Sequence, residues 1–271
     1  MRYALGVAAL LALLAAIEGR SALRYDGRFA SASLFGLIGI AGFNLFVWVG
    51  LGFTLPEHAS IIMALQTPMT VLAVWVARGQ RPAAFTLGCV AGALVGVLLV
   101  VTRGEPLAAL TDLASGSGLL GDLLVFCGAV LWVVYTMAVA RFPGWSPLRY
   151  TVLTCIPGFV GLLAANAVAI AVGAAALPGW SDLAGVAWQI VYFSLGTVVL
   201  GVLAFNAATR TLGPLNTMLI LNFVPVGVFG IEAALGRSFG AAELTGAGIV
   251  IAALVANNLF LRQRRNSAIS I

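Results

Sequence analysis

Lysine is missing from this chain altogether, histidine occurs once and cysteine three times, and charged residues make up only 8% of the 271. These shortages exclude a good deal. With one His and no HExxH, CxxC, nucleophile elbow or phosphate-gripping P-loop, neither a triad nor a metal site can be assembled. The chain therefore does not read as an enzyme, and no cofactor is implied. Cys89, Cys127 and Cys155 fall in three different apolar stretches. They read as small buried hydrophobes rather than a disulfide framework or metal site. Connecting sequence is scarce too, since the longest loop, 103–118, is too short to fold as a domain.

What is present in excess is apolar. Hydrophobic residues are 62% of the chain and mean hydropathy is +1.09, far from a soluble domain. Uncharged runs of about 18 to 25 residues recur, each enough to cross a hydrocarbon core of about 30 Å. Nine spans are expected, the first of them short: 4–17, 33–55, 59–77, 84–102, 119–140, 148–173, 184–206, 214–235 and 244–261. The fold class is thus an all-α polytopic membrane protein.

The net charge of +5 does not point to nucleic acid, because its placement follows a membrane rule. On an alternating topology eleven arginines share one side: Arg20, Arg24, Arg28, Arg78, Arg81, Arg141, Arg149, Arg210, Arg262, Arg264 and Arg265. Only Arg2, Arg103 and Arg237 occupy the other. The positive-inside rule makes the richer side cytoplasmic, the C-terminus included.

The chain also repeats itself at an offset of 157 residues. Thr54-Leu55, Pro68, Gly79 and Leu87 recur as Thr211-Leu212, Pro225, Gly236 and Leu244. Duplicated sets of apolar helices are a carrier architecture, with the substrate site at the repeat interface. Five helices separate each element from its copy, so the halves run inverted. The span 119–140 has no partner, because its counterpart would precede residue 1. The repeat therefore predicts a five-plus-five form whose first helix is absent here. The expected division is an N-terminal half over 1–113, a C-terminal half over 114–265 and a cytoplasmic tail over 266–271.

The segment GFNLFVWVGLGFTLPEHASIIMALQTPMTVLAVWVARGQRPAAFTLGCVAGALVGVLLVV resembles the third to fifth helices of an EamA-type member of the drug/metabolite transporter (DMT) superfamily. GDLLVFCGAVLWVVYTMAVARFPGWSPLRYT resembles its sixth helix and the turn that follows. LGTVVLGVLAFNAATRTLGPLNTMLILNFVPVGVFGIEAALGRSFGAAELTGAGIVIAALV resembles the last three. The resemblance implies a ten-helix inverted-repeat carrier in the bacterial inner (plasma) membrane, exporting metabolites or amino acids. It also marks a departure: the acidic residue that commonly follows glycine at two helix ends is replaced by Gln80 and Arg237.

Several residues could carry chemistry. Gly88, Gly92 and Gly96 form a GxxxGxxxG run, expected to pack the span 84–102 closely against the last span near Gly246-Ala247-Gly248. Pro68 and Pro225 are candidate hinges, since an interior proline removes a backbone bond and exposes a carbonyl. Polar groups at membrane depth should face protein or a wet cavity. The substrate-binding candidates on this ground are Asn44, Gln66 and Asn222, joined by Trp48, Trp132, Tyr135 and Tyr192; Asn166 is a further polar position. The bland alternative for each is an interhelical hydrogen bond with no ligand. Glu232 is the one acid well inside a span and is the candidate for proton coupling. Asp122 and His58 read as helix-start residues.

The function expected is an inner-membrane transporter that exports small amphipathic or amino-acid-like metabolites by alternating access, embedded in the lipid bilayer, with facilitated diffusion as open as proton coupling. The alternatives are a non-transporting membrane subunit or inactive truncated carrier and, less favoured, a membrane-embedded enzyme. The oligomeric state is left open.

Overall fold

The computed structural model describes residues 2–54, 59, 62–63, 65–79, 81–102, 104–105, 118–221, 234, 236 and 240–269. Among these there is helix and no strand. In order they form α1 (Arg2–Ile17), α2 (Phe29–Gly50), α3 (Gln66–Arg78), α4 (Ala84–Val101), α5 (Leu119–Ala138), α6 (Pro147–Ala171), the short α7 (Trp180–Gly185), α8 (Ala187–Leu212), α9 (Pro214–Leu221) and α10 (Ala241–Ile269). By length and composition α2, α5 (extended to Arg141), α6 and α8 are fit to cross a membrane, and α1 and parts of α3, α4 and α10 are shorter apolar helices. The expected span 214–235 is described over α9 and at residue 234, and most of its length lies outside the described residues.

The chain divides into two compact units, each drawing on both halves of the sequence: Met1–Leu45 with Val134–Gly213, and Phe46–Val133 with Pro214–Ile271.

In the first unit two helices carry a widened π turn, Leu37–Gly42 within α2 and Ser194–Gly201 within α8. Their first residues are 157 apart, the offset of the sequence repeat. Each π turn is met by a helix bearing small residues. A Cβ on Gly6 of α1 would lie 2.6 Å from Val198 in the α8 turn, and one on Gly161 of α6 would lie 2.6 Å from Leu37 and 3.0 Å from Ala41 in the α2 turn. Gly36 of α2 and Gly158 of α6 complete a crossing in which backbone meets backbone. Because lipid is as apolar as leucine, such close packing replaces the hydrophobic drive that holds a soluble bundle. The buried stripe of α1 (Tyr3, Gly6, Val7, Leu10 and Leu14) follows the helical period and faces this packing.

α6 starts on local chemistry. The Ser146 hydroxyl accepts a 2.9 Å bond from the Arg149 amide, and Pro147 occupies the next position, where its missing N–H costs nothing. Further along, Pro157 lies inside the helix. It deprives the Leu153 carbonyl of its partner four residues on. Tyr25, from the loop before α2, donates its hydroxyl to that carbonyl at 3.1 Å. Burial pushes the Tyr25 phenol above its ordinary pKa, which keeps it a donor. Tyr25→Phe is expected to cost about 1 kcal/mol. In a Pro157→Ala background, where the helix can bond its own carbonyl, the cost should shrink toward zero. A double-mutant cycle on thermal unfolding in detergent checks this, and an equal cost in both backgrounds would refute the pairing.

In the second unit α4 and α10 run antiparallel, and they begin 157 residues apart. Phe85 stacks with Phe260 at 4.7 Å between ring centroids. A Cβ on Gly92 would lie 3.9 Å from Ala253, and one on Gly96 would lie 2.7 Å from the Gly246 carbonyl oxygen. The expected pairing of these two helices is therefore present, although a Cβ on Gly88, the first glycine of the run, would meet nothing within 4 Å. Gly79 and Gly236, also 157 apart, both take the left-handed conformation (φ 65° and 90°) that a side chain would strain. A second glycine contact joins the end of α2 to the start of α5, where a Cβ on Gly50 would lie 2.8 Å from the Gly121 carbonyl oxygen. Asp122 is in the first turn of α5, as a helix-start residue should be, and accepts a hydrogen bond from Thr54. Cys89 and Cys155 are buried as expected, whereas Cys127 is exposed.

Candidate functional site

The most connected set of polar side chains in the first unit joins α5, α6 and α8. The hydroxyls of Thr151 and Thr154 donate to backbone carbonyls one turn back, Pro147 at 2.7 Å and Tyr150 at 2.8 Å. With those protons committed, Tyr135 donates to Thr154 across 3.2 Å. The Tyr135 and Thr151 oxygens are left as acceptors, and the Asn206 amide nitrogen donates to both at 2.9 Å. The amide orientation is therefore set by its surroundings. It leaves the Asn206 carbonyl oxygen buried with no hydrogen-bond partner among the described residues. Such an atom is a ready acceptor, since a buried oxygen gains when a donor reaches it. Tyr150 closes the set by donating to the Tyr135 carbonyl at 3.3 Å.

The sequence-predicted residues are distributed as follows. Tyr135 lies at the centre of this network and is fully buried. Asn44, in the same unit, is buried and committed within the protein. It donates to the Tyr3 hydroxyl at 2.9 Å and the Ile40 carbonyl at 2.7 Å, and accepts from Arg2. Tyr192 is 61% exposed beside Trp188 and Phe193. Asn166 is exposed and bonds its own helix at Leu162. In the second unit Gln66 is buried, with its amide on the Met63 sulfur at 3.3 Å. Trp48 is 59% exposed and Trp132 half-buried. Pro68 is the third residue of α3. Among the described residues Pro157 is inside a helix, and the repeat gave no purchase on it. Asn222, Pro225, Glu232 and His58 lie outside the described residues.

Asn206 and its threonine partners were missed by the sequence reading. Asn206 stands at the last residue of an expected span, 184–206, where a polar side chain looks like an interface residue. A signal was present: Thr151 and Thr154 share a helix face three residues apart, and an asparagine elsewhere could bridge them.

Apolar helices joined at glycine crossings, with interior polar groups bonded from helix to helix and four members fit to cross a bilayer, define a polytopic helical membrane protein. The profile of the EamA-like transporter family matches residues 119–259. Two proteins of Bacillus subtilis (strain 168) are similar over most of the chain. The uncharacterized transporter YrdR is 27% identical over 266 residues, 97% of this chain and 82% of that protein. The uncharacterized transporter YyaM is 33% identical over 255 residues, 92% and 80% respectively. A solved crystal structure matches the fold with a TM-score of 0.71 at 17% identity, over 97% of this chain and 86% of its own. The chain belongs to the EamA-like transporter family. It is an integral membrane transporter, as the resemblance of its segments implied.

Proposed function

We propose that this transporter exports small amphipathic metabolites, amino-acid-like compounds among them, across the plasma membrane by alternating access, with its C-terminus cytoplasmic. The observation that carries this reading is the pair of π turns at equivalent positions of α2 and α8. A π turn interrupts the regular bond ladder and recurs at functional sites. Two of them at the repeat offset place the same irregularity in both halves, in keeping with inverted repeats that move against each other in alternating access. The unused acceptor on Asn206, buried beside Tyr135, would suit a substrate that brings an N–H or O–H donor once the helices part to expose it. Glu232 remains the candidate proton carrier.

The test is done in cells. Overproduction of the full chain should allow growth at higher concentrations of toxic amino-acid analogues and raise their efflux from preloaded cells. Collapse of the proton gradient should slow that efflux only if transport is proton-coupled, and Glu232→Gln should then remove the response. Unchanged efflux across a broad analogue panel, with the protein shown to be in the membrane, would sink the reading.

A further inference from the structure

We propose that one end of the first unit is a binding surface for anionic phospholipid headgroups. The apolar helices of that unit end or begin together there: α1 at Ile17, α2 at Phe29, the extended α5 at Arg141, α6 at Pro147 and α8 at Leu212. That end carries Arg20, Arg24, Arg28, Arg141, Arg149 and Arg210 against two carboxylates, Glu18 and Asp26. Both carboxylates are engaged: Glu18 accepts from Ser146, and Asp26 from Arg149 at 2.6 Å.

The arginines divide into two groups. Arg28 donates to the carbonyls of Arg141 and Pro143 at 3.4 Å, Arg210 to that of Phe142 at 2.7 Å, and Arg149 to Arg24 as well as to Asp26. These three hold the 139–146 loop and the loop before α2 in place. Arg20, Arg24 and Arg141 are exposed, and their guanidinium groups make no hydrogen bond to a described residue. Three planar forks are thereby left with their N–H groups open, that of Arg141 lying over the Phe35 ring at 5.7 Å, on a framework fixed by their neighbours.

Position names the partner. Charge at the ends of apolar helices lies at headgroup depth, where aromatic residues also gather. Tyr25, Phe29 and Trp145 are at this level, with Tyr25 5.0 Å from Phe29 and 6.4 Å from Trp145 by ring centroid. Arginine forks match phosphate oxygens two at a time, and basic groups beside a bilayer draw anionic lipid.

The experiment melts the full chain in a neutral detergent with added phosphatidylglycerol, phosphatidylcholine or inorganic phosphate. Phosphatidylglycerol should raise Tm by about 2–4 °C, and the other two should leave it unchanged. The triple variant Arg20→Gln/Arg24→Gln/Arg141→Gln should melt normally without lipid and lose that rise. Because the variant could fold poorly, the unmodified protein gives an independent reading: its phosphatidylglycerol response should fall as salt is raised. An equal rise with phosphatidylcholine, or a salt-independent response, would overturn the proposal. So would a folded triple variant that keeps its response, or a full response to inorganic phosphate, which would mark a free-anion site instead.

Discussion

Gly36→Ala should leave little folded protein. A methyl group there runs into the carbonyl oxygen of Thr154 and lies 3.0 Å from both the Thr154 carbonyl carbon and the Pro157 ring. The first two are backbone atoms of α6 and cannot rotate aside. Across the same crossing a Cβ on Gly158 would lie 2.8 Å from the Gly36 carbonyl oxygen, so no slack exists on the facing helix either. Relief requires α2 and α6 to separate, which also disturbs the α2 π turn that Gly161 touches. Overpacking ordinarily costs about 1–3 kcal/mol; with backbone on both sides the upper end or beyond is expected. Gly88→Ala is the matched control, being a helical glycine with nothing within 4 Å. It should be neutral or more stable by about 0.5–1 kcal/mol, the usual helical gain of alanine over glycine. Melting in detergent compares the two. If both variants melt alike, the crossing is not as tight as described.

The second large effect is expected at Asn206. Asn206→Asp replaces the two-bond donor with a carboxylate in a position that solvent does not reach. Tyr135 and Thr151 would then have to turn their protons toward it, breaking the bonds to Thr154 and Pro147 that set the network's direction. A carboxylate buried with no cation beside it, and hydrogen-bonded only at the loss of two other bonds, costs several kcal/mol, so this variant should fail to fold or melt far below the parent. Asn206→Leu removes both bonds but introduces no charge. Interhelical bonds in membranes average about 0.6 kcal/mol and reach about 1.7, so a loss of about 1–3 kcal/mol is expected for two of them. Tyr135→Phe should cost less, because Asn206 keeps Thr151. Combining Tyr135→Phe with Asn206→Leu should cost less than the sum of the two. Strict additivity, or an Asn206→Asp protein as stable as the leucine variant, would contradict the network.

Much of the scaffold was legible because membrane helices announce themselves by composition and the repeat by spacing. Gly79 and Gly236, the common starting register of α4 and α10, and their pairing at Gly96 follow from residues whose meaning is local. The π turns were not legible, because Leu37–Gly42 and Ser194–Gly201 read as ordinary apolar helix and differ only in backbone register. Asn44 looked like a candidate ligand residue because its partners, Arg2 and Tyr3, stand 42 and 41 residues away in sequence and meet it only in the fold. Trp48 and Tyr192 illustrate the same limit. An aromatic residue in an apolar run has the same pattern whether it is exposed or buried, so spacing alone could not rank them with Tyr135.

The glycine crossings restrict how this transporter can change over generations. Where a leucine fills a contact, drift can shrink it and a neighbour can grow to compensate. At Gly36, Gly96, Gly121 and Gly158 the smallest side chain is already in place and the opposing surface includes backbone. No substitution there can be rescued by a second one opposite, because backbone has nothing to trim. These sites are effectively frozen, so adaptation to a new substrate must draw on polar and aromatic positions that bear on no such crossing.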